Sequence, residues 1–105
     1  MVFVETSAFT RRITTLLTDD EYYALQANLI EQPDLGEVMP ESGGIRKLRV
    51  AAKGHGKRGG ARVIYYWAAG REHIFFLRAY AKNEQSDLTR REVEDLRRAV
   101  EEELR

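Results

Sequence analysis

The chain contains no cysteine. That excludes disulfides and thiolate metal sites, and it is compatible with a reducing cytosol. Histidine is nearly as scarce: His55 and His73 are far apart in sequence, with no thiol beside them, and do not suggest a zinc site. No apolar run approaches the ~20 residues that a membrane-spanning helix requires. The first residues, "MVFVETSAF", lack the basic-then-apolar pattern of a signal peptide. The expectation is a cytoplasmic protein with no membrane partner. Repeats and low-complexity linkers are also missing, and a length of 105 residues suits one domain with one core, residues 1–105.

The most informative absence is that of negative charge in one place. The formal net charge is zero, with 17 Lys and Arg against 17 Asp and Glu. Between Ser42 and Arg71, however, there is no acid, and there are eight bases: Arg46, Lys47, Arg49, Lys53, Lys57, Arg58, Arg62 and Arg71. The rest of the chain holds nine bases against all seventeen acids. A positive zone flanked by negative segments is the pattern of a protein that grips a polyanion at one place. The plainer alternative is a sheet edge decorated with Lys and Arg against aggregation, although edges seldom need so many cations and no anion.

Hydrophobic spacing supplies the elements. "MVFV" (1–4) reads as a short strand. Phe9, Ile13, Leu16 and Leu17 are spaced for one face of a helix, with Thr6 or Ser7 available as its cap. "TDDE" (18–21) is a capping box that opens a second helix carrying Tyr22, Leu25, Leu29 and Ile30, which Pro33 ends. Residues 33–44 hold both prolines and three glycines and read as a connecting loop. Three strands are expected next, over 45–51, 61–68 and 73–80. The last two are apolar on both faces, which suggests helices on one side and a partly buried groove on the other. "TRRE" (89–92) is another capping box, followed by the stripe Val93, Leu96, Val100 and Leu104. The order β-α-α-β-β-β-α predicts an α+β domain: an antiparallel sheet with two N-terminal helices and one C-terminal helix.

Two stretches could carry chemistry. In the first, a strand runs into "KGHGKRGG" (53–60) and straight back into "ARVIYYW". Alternation puts Lys47 and Arg49 on one face, Arg62 begins the returning strand, and Lys53, Lys57 and Arg58 sit at the tip. Such crowding of cations raises the local energy and calls for an anion. Glycines at 54, 56, 59 and 60 let backbone amides approach a phosphate closely. A nucleotide P-loop is excluded, because Lys57 is followed by Arg58 and the next element is a strand. The alternative of a plain flexible hairpin stays open. His55, among cations, favours its neutral form and could shuttle a proton or be an ordinary loop residue. His73 reads as a strand residue. The second stretch is "RAYAKNEQSD" (78–87), where Lys82, Asn83 and Glu84 follow a strand end, a common place for active-site groups. Its plain reading is a connection into the last helix, with Ser86 or Asp87 as caps.

Taken together, "VFVETSAF", "TDDEYYALQANLIEQPDLG", "GGIRKLRVAAKGHGKRGGARVIYYW" and "FFLRAYAKNEQSDLT" resemble the RelE/HigB superfamily of ribonuclease toxins from type II toxin–antitoxin systems, in its HigB-like branch. The resemblance runs over nearly the whole chain and implies the RelE-like microbial ribonuclease architecture. It also implies an endoribonuclease that cuts messenger RNA in the ribosomal A site without metal or other cofactor, through attack of the 2′-hydroxyl on its own 3′-phosphate. The implied partners are the ribosome, its mRNA and a cognate antitoxin, a helix-turn-helix protein of HigA type. By the same resemblance the catalytic set is Arg62, Lys82, Glu84 and Lys57, and the RNA-binding set is Lys47, Arg49, Lys53, Arg58, His55 and Asn83. Arg62 suits the phosphorane oxygens as a permanent cation. Classical RelE-type members carry an arginine and a tyrosine late in the chain, at places that look like Asn83 and Thr89 here. The proton acceptor is therefore open between a lysine and Glu84, since an arginine does not serve as a base at ordinary pH.

The alternative function is a non-catalytic RNA- or ribosome-binding module, with Tyr65, Tyr66 and Trp67 as a stacking platform on the basic hairpin. Alternation splits these aromatics between two faces, so core packing competes for them. Either reading places self-repelling cations together, and inorganic phosphate should raise the melting temperature in a thermal scan. A melting temperature flat across phosphate concentrations counts against a preformed anion site.

Overall fold

A computed structural model describes residues 1–51 and 60–104. Its elements, in chain order, are β1 (Val2–Glu5), α1 (Ser7–Leu16), α2 (Asp19–Glu31), β2 (Glu37–Val38), β3 (Arg46–Val50), β4 (Ala61–Ala68), β5 (His73–Ala81) and α3 (Arg90–Glu103). A 3-10 turn at Ala69–Arg71 joins β4 to β5. None of the described helices is long and apolar enough to cross a membrane.

Each helix starts where the sequence places a threonine. Thr6 accepts from the Phe9 amide, and its hydroxyl donates to the Leu77 carbonyl at 2.7 Å, which ties α1 to β5. Thr18 and Thr89 form complete capping boxes with Glu21 and Glu92. These bonds satisfy amides that a helix start otherwise leaves without partners.

In the described residues the strands form one sheet in the order β1-β5-β4-β3-β2. The architecture is α+β as expected, with one difference in the sheet. β2, β3, β4 and β5 pair antiparallel, but β1 lies parallel to β5, with Val2 opposite His73 and Glu5 opposite Phe76. The sheet is mixed, because β1 reaches β5 through a long crossover that no hairpin constrains. A second difference lies in the 33–44 loop, where Glu37 and Val38 pair with Lys47 and Arg46. This short strand gives the β3 backbone the partners it would lack at an open edge. Tyr65 anchors the turn before it: its hydroxyl donates to Pro33 O and accepts from Gly36 N, both at 2.8 Å. A Cβ on Gly36 would stand 2.9 Å from that ring, so the approach requires glycine.

The two faces of the sheet carry two cores. On one, α1 and α2 bury Phe9, Ile13, Leu25 and Leu29 against Val63, Tyr65, Ile74 and Phe76. Phe76 stacks on Phe9 (centroids 4.7 Å apart) and on Phe3 (5.5 Å), with Tyr22 tilted beside it at 5.8 Å. Ile30, expected on the packed face of α2, is 55% exposed. One residue is a 100° step on a helix, and Leu29 already occupies the inward direction. On the other face, α3 brings Val93 and Val100 against Ile64, Phe75, Leu77 and Tyr80. Thus α3 covers part of the face expected to form a groove, and a groove occupies the remainder.

A β-bulge in β5 links the two cores. Ile64 pairs with Arg78 but Tyr65 pairs with Phe76, so Leu77 is skipped. Alternation therefore breaks: Phe76 and Ala79 belong to the first core, while Leu77 and Tyr80 belong to the second. Beyond the bulge, Arg78 meets Glu92 of α3 at 3.3 Å. The Thr89 amide above all, then its hydroxyl and Arg78, hold the Glu92 carboxyl below its ordinary range. A carboxyl depressed in the folded state stabilises fully above its unfolded value, and this contribution is lost as pH falls through the folded value. In urea denaturation series at falling pH, Glu92→Gln should start less stable by about 1 kcal/mol at neutral pH and show a shallower loss in acid. An acid limb identical to that of the unsubstituted protein would contradict this account.

Candidate active site in a basic groove

The register of three strands builds the site. Arg49 on β3 lies opposite Arg62 on β4, and Arg62 lies opposite Tyr80 on β5. Directly opposed residues share a face, so these three make one row across the sheet, on the α3 side. Lys47, two residues before Arg49, joins the same face. Lys82 follows the end of β5, where its amide donates to Gly60 O at 3.1 Å and prolongs the β4–β5 ladder.

Lys47, Arg49, Arg62 and Lys82 line one groove of about 480 Å³, together with Glu37, Ser86, Leu35 and Leu48. The groove is open on one side to solvent, and its floor is Arg62, which is only 5% exposed. A guanidinium this buried is unusual without a carboxylate partner. Among the described residues its hydrogen bond is to the Ala61 carbonyl, at 3.3 Å. Lys47 is not idle: its ammonium meets Asp87 Oδ2 at 3.1 Å, while Asp87 Oδ1 accepts from the Leu88 amide. Both partners of that ion pair are substantially solvated, which limits it to roughly 0–1 kcal/mol. Arg46, by contrast, is spent on structure, donating to the carbonyls of Asp34 and Gly36.

Over residues 8–104 the chain matches the family described as RelE toxin of RelE / RelB toxin-antitoxin system. The chain belongs to the RelE toxin family. Membership makes it the toxin of a toxin–antitoxin system, in a family of endoribonuclease toxins, and implies an antitoxin partner.

Within this RelE-family toxin, the expected site residues fall into three groups. Arg62, Lys82, Lys47 and Arg49 converge on the groove. Asn83 and Glu84 do not line it. Glu84 instead turns its carboxylate toward α1, where it pairs with Arg12, and the same oxygen accepts from the Ala81 amide. Lys53, His55, Lys57 and Arg58 lie outside the described residues. The suggested caps of α3, Ser86 and Asp87, yield that role to Thr89. Asp87 becomes the counter-ion of Lys47, a pairing across 40 positions that no local pattern announces.

Two other features narrow the choice of site. Tyr65 is fully buried, Trp67 packs on the first core and Tyr66 on the second. A shared stacking platform from these three is therefore not formed. A larger groove of about 780 Å³ follows α3, but its charges are mixed in sign, and Arg97–Glu101 and Arg98–Glu94 already neutralise one another. Four cations against the single carboxylate of Glu37 mark the smaller groove. Because Asp87 competes for Lys47, Asp87→Asn should tighten binding of inorganic phosphate about two- to fivefold in a calorimetric titration, the worth of one exposed ion pair. The asparagine keeps an acceptor for the Leu88 amide. Unchanged or weaker phosphate binding would show that the pair does not compete with the anion.

Proposed function

We propose that this RelE-family toxin is of HigB-like type and cuts messenger RNA in the ribosomal A site. The observation that carries the reading is the buried Arg62 guanidinium, flanked in one groove by Arg49, Lys47 and Lys82. Cleavage proceeds without metal. The 2′-hydroxyl oxygen forms a bond to the adjacent phosphorus and loses its proton to a base. The bond from phosphorus to the 5′-oxygen breaks, and that oxygen leaves with a proton. The products are a 2′,3′-cyclic phosphate and a free 5′-hydroxyl. As phosphorus passes through five-coordination its oxygens gain negative charge, and a preorganised cation in a poorly solvated place stabilises that charge most. Arg62 fills this role. Arg49 and Lys47 hold the neighbouring phosphates.

Lys82 is the group best placed among the described candidates to exchange a proton, because it lines the groove and Glu84 is engaged elsewhere. Asn83, Lys53, His55 and Arg58 contribute to RNA binding, and Lys57 contributes to catalysis. Proton exchange at one side chain supplies only part of the rate, so the ribosome supplies much of the rest by holding the RNA in an attack-ready conformation. Activity on free RNA is correspondingly very low. The cognate antitoxin is a helix-turn-helix protein of HigA type, and the toxin acts in the cytoplasm.

Primer extension on a message translated in a cell-free system tests the proposal. Added protein should produce breaks inside codons that depend on translation. Lys82 is exposed, so Lys82→Ala should lower cleavage at least a hundredfold with the fold intact. Arg62 is buried, and Arg62→Gln, which fills more of the space than alanine, should do the same while most ribosome affinity persists. Growth arrest and ribosome binding that fall together, with no breaks at any stage, would support a non-catalytic ribosome binder instead.

A further inference from the structure

The sheet face under α3 holds an oxygen with nothing to bond to. Among the described residues, Tyr80 Oη is the buried side-chain polar atom that lacks a hydrogen-bond partner. The residue is 4% exposed. An orphaned buried polar group costs about 1–3 kcal/mol, and native structures keep few of them without a reason.

The neighbours show what is missing. Tyr80 lies directly across the ladder from Arg62 on the same face. Asp87, Arg62, Glu92 and Arg78 all act electrostatically on the phenol. Burial above all pushes its ionisation up to about 12, so at neutral pH it keeps its proton and is a donor. Each oxygen of the nearby carboxylates already has another donor. Asp87 accepts from the Leu88 amide with one oxygen and from Lys47 with the other. Glu92 accepts from the Thr89 amide with one and from Arg78 with the other. Among the described residues the corner thus contains a phenol and a guanidinium, both donors, beside carboxylates whose oxygens are each engaged by another donor. A surplus of buried donors beside a permanent cation is the composition of an anion hole.

We propose that Tyr80 is a further residue of the groove, its hydroxyl donating to the same phosphate oxygen that Arg62 holds. This rests on the reading of the groove as a phosphodiester site. The hydroxyl is sealed from solvent and Tyr80 is not among the residues that line the groove, so the contact requires the floor at Arg62 to shift, and the oxygen admitted is a small one, a non-bridging phosphate oxygen rather than a base or a sugar. Binding draws the phenol and the guanidinium together around that oxygen, and the orphan acquires its partner at that moment.

Tyr80→Phe removes one oxygen and leaves the ring in place. It is compared with the unsubstituted protein and with Arg62→Gln at constant ionic strength. The readouts are melting temperature in anion-free buffer and affinity for two probes, inorganic phosphate and an RNA dinucleotide made uncleavable by a 2′-deoxy sugar at the scissile position. Without anion, Tyr80→Phe should melt at the same temperature or higher, since an unsatisfied hydroxyl has been removed. Its affinity for both probes should fall about tenfold, the effect of one hydrogen bond to a charged group. Probe binding that is lost in Arg62→Gln but unchanged in Tyr80→Phe overturns this inference and leaves the groove reading standing. A Tyr80→Phe protein that melts lower without anion, or does not fold, assigns the hydroxyl a structural role and also overturns it. No binding of either probe by the unsubstituted protein overturns the groove reading itself, and this inference with it.

Discussion

One skipped residue in β5 governs which side chains meet. Upstream of Leu77 the strand sends Phe76 toward α1 and α2, where it is the centre of an aromatic cluster with Phe3, Phe9 and Tyr22. Downstream, the same strand sends Tyr80 toward α3 and sets it beside Arg62. Perfect alternation would satisfy one of these demands and break the other, because a one-residue slip turns every later side chain to the opposite face. The bulge satisfies both. It also brings Arg78 to Glu92, so that the helix covering the second core is capped and docked by a single carboxylate.

That geometry makes the groove an electrostatic device rather than a basic patch. A patch on an open edge is hydrated and its cations are screened within about 10 Å at ordinary salt. Here one buried guanidinium forms the floor and three more exposed cations line the groove with it, so an anion at the floor would meet a fixed partner. Lys47 is restrained by Asp87 and Glu84 is restrained by Arg12. Each of these pairs ties one cation to one carboxylate. The negative segments elsewhere in the chain bring the net charge to zero without neutralising the row itself.

The legibility of this protein in its sequence follows the range of the interactions. Thr18, Thr89 and their partner glutamates act over three residues, and both capping boxes form as the sequence suggests. Strand positions 61–68 and the apolar stripe of α3 depend on local periodicity and are also found. The pairing partner of β1, the short β2 strand and the exposure of Ile30 depend on neighbours brought from far along the chain, and each differs from the local reading. For the site, Lys47, Arg49 and Arg62 could be grouped because a hairpin keeps strand neighbours in register. Asp87 and Tyr80 offered no such signal. One reads as a helix cap and the other as the end of a strand until the third dimension places them.

Composition and short-range pattern by themselves determined the α+β class, the helix starts, the acid-free basic zone and the resemblance to a toxin family. These depend on residue chemistry and on contacts within a few positions, where the chain has little choice. Tertiary structure alone decided the parallel β1, the bulge at Leu77, the burial of Arg62, the engagement of Glu84 with α1 and the solitude of the Tyr80 hydroxyl. The reason is that register and burial are settled by competition among distant segments for one core, and a residue's partner in that competition is not written beside it.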